Sequence, residues 1–459
     1  VGSGILSFLR DFLSPQFDAK ELEYLNCKVL YHLIPCRFSC VSPTSGILSK
    51  IMQSKNYIWN SIGSFLQSAI SPALLLLITR LNGITDSGIF SFALSLSVVF
   101  WAIGLWGGRT YQVSDVRKEF SSSSYLAVKL VTSIVMMVGA VLFCTANHYD
   151  VVKSSIIIAL VLFKALEAVA DALYGVLQIH HRLYVVGYSL TIKAVGGFGA
   201  FLLVDMLVHS VLWGVIAIVI VNALMLVLYD WQQVQRYESI QLHIDHLVPK
   251  LRHVGMIMRR CAPVFLTTFL TMFSLNIPRY FLDTFHTHEI AYFGIMAMPI
   301  TLLSLFITFI IQPNIVQLSE LYHQQKRLEF HALVSKIILI VLGISALTLI
   351  ATWLVGAPLL TLISNARITD YRTELLIMVV GAVANALVSI YINILTVLRE
   401  FKGQFYILLL SNIVLTVVSY SIVQHYAMLG SVLCFMVAGI IQAALLAAVY
   451  RRQLRSMAA

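Results

Sequence analysis

The chain has 459 residues, of which 59% are hydrophobic and 11% charged, with a net charge of +10 and a mean hydropathy of +0.87. An average soluble domain carries roughly 25% charged residues, so this composition excludes a soluble enzyme and a disordered scaffold. So many apolar side chains cannot all be buried in one water-soluble core. The solvent for most of the chain must therefore be lipid, and the excess of cations is typical of loops beside anionic lipid.

Residues 1–51 differ in character from the rest of the chain. No apolar run there reaches the roughly 18 residues that a membrane span needs, and charged residues interrupt every apolar stretch, unlike in a signal peptide. At Met52 a short polar segment leads directly into an apolar one. We therefore hypothesise that Met52 is the physiological start and that residues 1–51 are a non-native or disordered extension. A genuine amphipathic N-terminal arm is the alternative.

Beyond Met52, twelve apolar segments are long enough to cross about 30 Å of hydrocarbon. We predict that they are helices, because backbone polar groups in lipid must be satisfied within the segment. The segments are residues 58–79, 88–107, 126–146, 154–176, 184–205, 209–229, 261–282, 290–312, 332–355, 374–397, 404–424 and 427–450. The predicted fold class is an all-α polytopic membrane protein with twelve transmembrane helices.

The longest polar connection, residues 230–260, divides the membrane part into two groups of six spans. We predict an N-terminal six-helix lobe over residues 52–229 and a C-terminal six-helix lobe over residues 261–459. A weak internal sequence repeat supports the division. Arg80 and Arg279 each lie at the end of the first span of a lobe, and an acidic turn follows each of them. Two such halves are typical of transporters whose substrate site lies between the lobes.

The loop charges predict the orientation in the membrane. With a cytoplasmic N-terminus, seventeen Lys and Arg residues lie in or beside the inner loops, against four in or beside the outer loops. By the positive-inside rule, both termini are predicted to be cytoplasmic and the protein to be a multi-pass protein of the plasma membrane. Lys129 lies near the cytoplasmic end of the third span, and we expect it to snorkel to that surface.

The sequence carries no motif of enzyme chemistry. It contains no G-x-S-x-G, Walker A or H-E-x-x-H motif, and these motifs place the nucleophiles, phosphate cradles and zinc ligands of common enzymes. Its six cysteines include no C-x-x-C pair, and its histidines lack further ligands at metal-binding spacing. We predict neither an enzyme, nor a bound cofactor, nor a metal site.

Ionisable residues inside spans are costly in lipid and are therefore candidates for function. Lys164, Glu167 and Asp171 share one face of the fourth span, because residues three, four and seven apart align on a helix. Lys193 lies near the middle of the fifth span, with no acidic residue three or four positions away. A glycine cluster at residues 196–199 follows it and permits close helix approach or local bending.

Arg80 and Arg279, near the outer ends of the first and seventh spans, complete the set of candidate cations. If the four candidate cations face one cavity, that cavity is net cationic even after Glu167 and Asp171 are counted. A cationic cavity of low dielectric attracts anions, phosphate above all. The structural alternatives are that Lys164 pairs with Glu167 and that both arginines snorkel to the outer headgroups.

Three stretches of the chain carry a family resemblance. They are Gly107–Asp115, Asp171–Gln178 followed by Arg182-Leu183, and the segment from Pro278-Arg279-Tyr280 to Met298-Pro299. In this order on twelve spans, they resemble the Wzx-type polysaccharide flippases of the MOP superfamily, which also holds the MATE exporters. The likeness is to the capsule and exopolysaccharide flippases of Gram-positive bacteria, and it covers Met52 to the C-terminus.

The resemblance implies a substrate, namely an oligosaccharide repeat unit on undecaprenyl pyrophosphate, moved from the inner to the outer leaflet by alternating access. It also implies a cationic central cavity, to which span position assigns Lys164, Lys193, Arg279 and Arg80. Glu167 and Asp171 are candidates for an ion-coupled step, because a partly buried carboxylate beside a lysine can change protonation. Expected partners are the lipid-linked oligosaccharide, membrane lipids, and a polysaccharide polymerase with other synthesis machinery.

Other functions stay open at this point. A MATE-like multidrug or cation antiporter would want a carboxylate-rich cavity, whereas the predicted first two spans contain no acidic residue. A lipid II flippase also wants cationic groups, but those proteins usually carry two further helices. A membrane scaffold for polysaccharide synthesis would need no lysine inside the membrane at all.

Overall fold

The computed structural model describes residues 45–115, 119–240 and 247–456. The chain divides into two compact units, Val1–Ile58 and Trp59–Ala459, and the second contains the features described below. Most of the hypothetical extension, residues 1–44, lies outside the described residues, so that hypothesis stays a prediction. Within the described ranges every regular element is a helix, which confirms the all-α fold class.

Seven helices precede residue 236. They are α1 (Ser45–Leu81), α2 (Ile84–Leu105), α3 (Gly108–Ser114), α4 (Ser122–Ala146), α5 (Val151–Ile179), α6 (Leu183–Val208) and α7 (Val211–Gln235). Six follow the 236–246 segment. They are α8 (Leu247–Phe285), α9 (Ile290–Met296), α10 (Met298–His323), α11 (Arg327–Ser364), α12 (Arg372–Val397) and α13 (Phe401–Ser456).

The number of membrane crossings is tested only in part. Among the described residues, ten helical segments are long and apolar enough to cross a membrane. α5 is not one of them, although it has 29 residues, and it carries four charged side chains. α13 covers two predicted spans in 56 residues, and Ala427 interrupts it with a non-helical φ of 45°. An integral membrane protein is confirmed, whereas the count of twelve and the two six-helix lobes stay predictions.

Exposed side chains along the helices are apolar, as a lipid solvent requires. Leu142 on α4, Val195 on α6, Leu224 on α7 and Val417 on α13 are all more than half exposed. In water, contiguous apolar surface of this kind would promote association. In hydrocarbon it is the ordinary solvent-facing surface of a helix bundle.

One hydrophobic core joins the two halves of the chain near the loops 147–150 and 286–289, the predicted outer face. Phe90 and Phe92 of α2 pack in the same cluster as Leu282 of α8 and Phe293 of α9. The backbones approach closely there, since a Cβ at Gly88 would lie 2.9 Å from a side-chain carbon of Ile290. The structure is therefore closed between the halves on the predicted outer face.

A second close approach joins α1 to α6. A Cβ added to Gly187 would lie 2.2 Å from the carbonyl oxygen of Trp59, and one added to Gly63 would lie 2.5 Å from that of Gly187. The glycine cluster at 196–199, where the sequence permitted close approach, instead meets ordinary contacts or open space. The tight helix contact therefore lies two to three turns earlier on α6 than the cluster suggested.

A sharp turn between α2 and α3 positions a side chain for the site described next. Trp106 and Gly107 both adopt left-handed backbone conformations, with φ of 44° and 64°. The Trp106 indole stacks on Phe265 of α8 at 3.8 Å between centroids and donates to the carbonyl of Met258 at 3.0 Å. The turn is thereby fixed against α8, and Arg109 follows it at the start of α3.

Candidate functional site

A cavity of about 600 Å³ lies between the two halves of the chain. α1, α2, α3, α5 and α6 supply one wall, and α8, α9, α10 and α13 supply the other. Five of the six residues predicted from sequence line it: Lys164, Lys193, Arg279, Glu167 and Asp171. Arg109, which the sequence analysis placed only within a family stretch, is a further cation of the lining.

Lys164 and Glu167 form an ion pair on the cavity face of α5. The Lys164 ammonium lies 2.6 Å from the Glu167 carboxylate, and the Gln67 amide also donates to Glu167. The ammonium packs over the rings of Trp101 and Phe163 at 4.9 and 4.8 Å. The alternative in which Lys164 pairs with Glu167 is thus realised, and the pair nonetheless stays on the cavity wall.

Asp171, one turn further along α5, holds two cations from neighbouring helices. Lys129 of α4 donates to it at 2.9 Å and to the carbonyl of Leu105 at 2.6 Å. Arg109 donates to the other carboxylate oxygen at 3.4 Å and to Gln178 at 3.0 Å. Lys129 is only 1% exposed, so the expectation that it snorkels to the surface is wrong. The Asp171 carboxylate holds it inside the bundle instead.

Lys193 has a buried acidic partner that the sequence analysis missed. Its ammonium donates to Asp230 and, at 2.9 Å, to the hydroxyl of Tyr174, which lies 3.0 Å from the hydroxyl of Ser189. The Lys193 and Asp230 side chains are 4% and 1% exposed. Asp230 closes a π-helical turn, Leu226–Asp230, within α7. The sequence does show that Asp230 is an acidic residue at the end of an otherwise apolar span, and this could have marked it as a partner for a buried cation.

Arg279 is held differently from the other cations. Its Nη2 donates to the hydroxyl of Ser91 at 2.9 Å, and its guanidinium lies 5.2 Å from the Phe293 ring centroid. In the part of the chain that the structure describes, no carboxylate forms an ion pair with it, and its buried Nε has no hydrogen-bond partner. A Cβ at Gly294 would lie 3.1 Å from Nη2, so the glycine makes room for the guanidinium.

Arg80 lies outside the cavity lining. Its side chain is exposed, and its Nη2 donates to the carbonyl of Leu362 in α11 at 2.7 Å. The two arginines that sequence position made equivalent therefore have different environments. Arg279 points charge into the cavity, whereas Arg80 satisfies a backbone carbonyl on the surface.

The charges around the cavity do not cancel. Arg109, Lys129, Lys164, Lys193 and Arg279 supply five cations, against the three carboxylates Glu167, Asp171 and Asp230, so the formal excess is two positive charges. Low dielectric strengthens each unbalanced charge. Across residues 45–115, 119–240 and 247–456, no cluster of His, Cys, Asp and Glu could hold a metal ion. The excess of positive charge favours an anion in this cavity.

The chain is similar in sequence to a protein named for capsular polysaccharide biosynthesis. The chain is 22% identical over 382 residues to the capsular polysaccharide biosynthesis protein CapF of Staphylococcus aureus. The match covers 83% of this chain and 94% of that protein. No protein-family model matches the chain.

Solved structures with the same fold are membrane transporters. The lipid II flippase MurJ has a TM-score of 0.64 at 12% identity, covering 87% of this chain and 90% of that one. A mutant of the Vibrio cholerae MATE transporter VcmN has a TM-score of 0.58 at 13% identity, covering 89% and 98%. A MOP superfamily transporter from Pyrococcus furiosus, described as having a binding pocket of reverse polarity, has a TM-score of 0.59 at 13% identity, covering 89% and 96%.

The chain is therefore an integral membrane protein with the fold of the MOP superfamily of transporters and flippases. The capsule-biosynthesis relative and the MATE and MurJ neighbours support the resemblance to Wzx-type flippases that the sequence suggested. These structural neighbours are transporters and flippases, not enzymes.

Proposed function

We propose that this protein is a flippase that moves undecaprenyl-pyrophosphate-linked oligosaccharide repeat units from the cytoplasmic to the outer leaflet, for capsule or exopolysaccharide synthesis. The observation that carries the proposal is the cationic excess of the cavity, with Arg279 on its wall and no carboxylate in an ion pair with it among the described residues. A diphosphate supplies the negative charge that such a site lacks, and arginine binds phosphate oxygens in bidentate geometry.

The binding arrangement follows from the charges. The diphosphate binds at Arg279, with Lys164 and Lys193 on the facing wall adding attraction even though each has a carboxylate partner. The first sugars lie in the polar cavity, because burying unpaired hydroxyl groups in hydrocarbon would cost several kcal/mol each. The prenyl chain stays in lipid between the lobes, where it needs no polar contact.

The size of the cavity sets what it holds in this conformation. At about 600 Å³ it lies within the range of roughly 300–1,000 Å³ that binds drug-sized molecules. That volume accommodates a diphosphate and the first sugars of a repeat unit. A longer oligosaccharide requires the cavity to widen, which is what the cytoplasm-facing conformation of an alternating-access cycle supplies.

The net charge of the cavity also bears on two rival functions, export of cationic drugs and flipping of lipid II. A MATE-like exporter of cationic drugs would meet a cavity whose formal excess is positive, which disfavours it. A lipid II flippase would carry the same undecaprenyl pyrophosphate and would use the same cations. The capsule-biosynthesis relative favours a polysaccharide substrate over lipid II.

Ion coupling is proposed at Glu167 and Asp171. Both carboxylates lie on the cavity wall, and each is bound by a lysine, Lys164 or Lys129. A carboxylate released from such a lysine during the cycle gains affinity for a proton. If Glu167→Gln and Asp171→Asn transport normally, with no change in dependence on the proton gradient, this role is excluded.

The test uses a strain from which the gene is deleted, complemented with wild type, Lys193→Ala, Lys193→Arg, Lys164→Ala and Arg279→Ala, each checked for membrane abundance. We expect loss of surface polymer, with lipid-linked precursor accumulating in the inner leaflet, and rescue by arginine but not alanine at position 193. Impaired growth and accumulation of lipid II instead would identify lipid II as the substrate. Normal polymer in every variant would contradict the proposed cavity.

A further inference from the structure

A buried ion pair joins the two halves of the chain at the predicted outer face. Lys153 of α5 donates to both carboxylate oxygens of Asp283 in α8, at 2.8 and 2.6 Å. The two side chains are 9% and 2% exposed. The Lys153 ammonium also lies 4.6 Å from the Phe92 ring centroid and 4.4 Å from that of Tyr149.

Any opening of the predicted outer face that separates α5 from α8 would break this ion pair. A buried charge that loses its partner is strongly unfavourable, much more so than an exposed one. Lys153 lies in the first turn of α5, and its backbone N–H donates to the carboxylate of the cap residue Asp150 at 3.2 Å. This position at the end of the helix lets water reach the ammonium once the helices part. Asp283 is deeper in the interface and needs another cation.

That cation stands one turn away on the same helix. Arg279 is four residues before Asp283, a separation of about 6 Å along the helix axis that places the two side chains on one face. In this structure they form no ion pair, since Lys153 occupies both Asp283 oxygens. Arg279 accordingly has no carboxylate partner among the described residues and faces the cavity.

We propose that Asp283 exchanges cations during transport. While the outer face is closed, Asp283 holds Lys153 and leaves Arg279 free to bind the pyrophosphate. When the outer face opens, Asp283 pairs with Arg279, which lowers the affinity for pyrophosphate and releases the substrate on that side. Asp283 is thus a positioning residue that acts through Arg279, and the inference rests on the proposed function.

The first test compares two substitutions that break the same ion pair, Lys153→Met and Asp283→Asn. Inorganic pyrophosphate binding is measured by calorimetry on purified protein whose folding is checked by thermal unfolding. Lys153→Met frees Asp283 to neutralise Arg279, so pyrophosphate binds about tenfold more weakly, the loss of one charge-assisted hydrogen bond. Asp283→Asn leaves Arg279 free, so the affinity does not fall. Equal losses in both variants would overturn the exchange.

An Arg279→Gln background separates the exchange from the general field of the two charges. If Lys153→Met acts through Arg279, its effect on pyrophosphate affinity disappears in that background, as a double-mutant cycle measures. A tenfold effect that persists without Arg279 would overturn the proposal. The double variant Lys153→Met/Asp283→Asn is expected to bind pyrophosphate as wild type does.

A charge swap, Lys153→Asp/Asp283→Lys, gives an independent test in cells. Closure is read with an impermeant maleimide added outside, on a Ser95→Cys cavity reporter, with the parent chain as control. Lys153→Asp alone and Asp283→Lys alone each raise labelling, and the swap returns labelling to the level of the chain with neither substitution. The swap does not restore surface polymer, because position 283 no longer offers a carboxylate to Arg279. Recovery of polymer would show a static latch, and labelling that stays high would contradict the role in closure.

The labelling and pyrophosphate results do not depend on which lipid-linked substrate the protein carries. If both follow the predicted pattern while no variant alters surface polymer, the proposed function fails and the partner exchange stands. If polymer depends on Arg279 while Lys153→Met leaves pyrophosphate affinity unchanged, the partner exchange fails and the proposed function stands.

Discussion

The two walls of the cavity differ in whether their charged side chains have ion-pair partners. The wall from the N-terminal half carries Arg109, Lys164, Glu167, Asp171 and Lys193, and each of them has a charged partner within that half. The wall from the C-terminal half contributes one charged residue among those the structure describes, Arg279, which has none. The first wall keeps one excess positive charge, because Arg109 and Lys129 share the carboxylate of Asp171. The second wall keeps the charge of Arg279, which has no ion-pair partner among the described residues.

The two walls are expected to contribute differently to the affinity for an anion. A buried cation already paired with a carboxylate gains little from a second anion, because its desolvation has already been offset. An arginine that has no ion-pair partner and is held by a hydroxyl and an aromatic ring gains more from an added anion. Arg279 is therefore the side chain on which the affinity for an anion depends most.

The largest expected effect comes from removing the charge of Arg279. Arg279→Gln should reduce surface polymer at least about tenfold, the loss of one or more charge-assisted hydrogen bonds, and Arg279→Lys should restore part of it. Arg80→Gln is the matched control, since Arg80 ends the equivalent span but donates to the Leu362 carbonyl outside the cavity. The measurement is surface polymer per unit of membrane protein. Equal losses from the two glutamine variants would contradict the special role of Arg279.

The next effect concerns the paired wall. Lys193→Met leaves Asp230 as a buried uncompensated charge and should lower the stability by about 3–5 kcal/mol. Lys193→Met/Asp230→Leu removes both charges and should recover most of that stability. Thermal unfolding in detergent measures both variants, and a Lys193→Met protein as stable as wild type would show that the pair is not structural.

We expect a smaller loss of stability from a substitution at a close helix contact than from one that breaks a buried ion pair. Gly187→Ala forces a methyl group against the Trp59 carbonyl, at 2.2 Å before relaxation, and should destabilise the protein by about 1–3 kcal/mol. Gly199→Ala on the same helix meets nothing within 4 Å and should be neutral or slightly stabilising. The same unfolding assay compares them, and a neutral Gly187→Ala would contradict the close approach of α1 and α6.

The smallest effect is expected for an exposed ion pair. Arg260 donates to Glu119 and to the Tyr111 hydroxyl, and the charged side chains are 46% and 44% exposed. Exposed pairs contribute little, because water and salt screen them. Arg260→Gln should leave the unfolding temperature unchanged, and a loss comparable to that of Lys193→Met would show that burial is not what separates the two kinds of pair.

The sequence predicted those parts of the site that depend on spacing along one helix. The intervals between Lys164, Glu167 and Asp171 placed them on one face, and the structure puts all three on the cavity wall. Apolar runs located both ends of α2, α4, α5, α6 and α12 to within four residues, whereas α1 and α8 begin well before the predicted spans.

Pairing between helices could not be predicted in this way. Asp230 lies 37 positions from Lys193 and Asp283 lies 130 positions from Lys153, so no local rule connects them. Lys129 was misjudged for the same reason, since its partner Asp171 belongs to another helix. Because Arg80 and Arg279 share a position relative to their spans, only packing against the neighbouring helices distinguishes their roles.

The most direct measurement of the central claim is flipping by the purified protein. Proteoliposomes would receive a fluorescent undecaprenyl-pyrophosphate-linked oligosaccharide, and a membrane-impermeant quencher would report how much reaches the opposite leaflet. We predict transport by wild type and by Arg80→Gln, and transport at least about tenfold slower by Arg279→Gln. Equal transport by the wild-type and Arg279→Gln proteins would contradict this prediction.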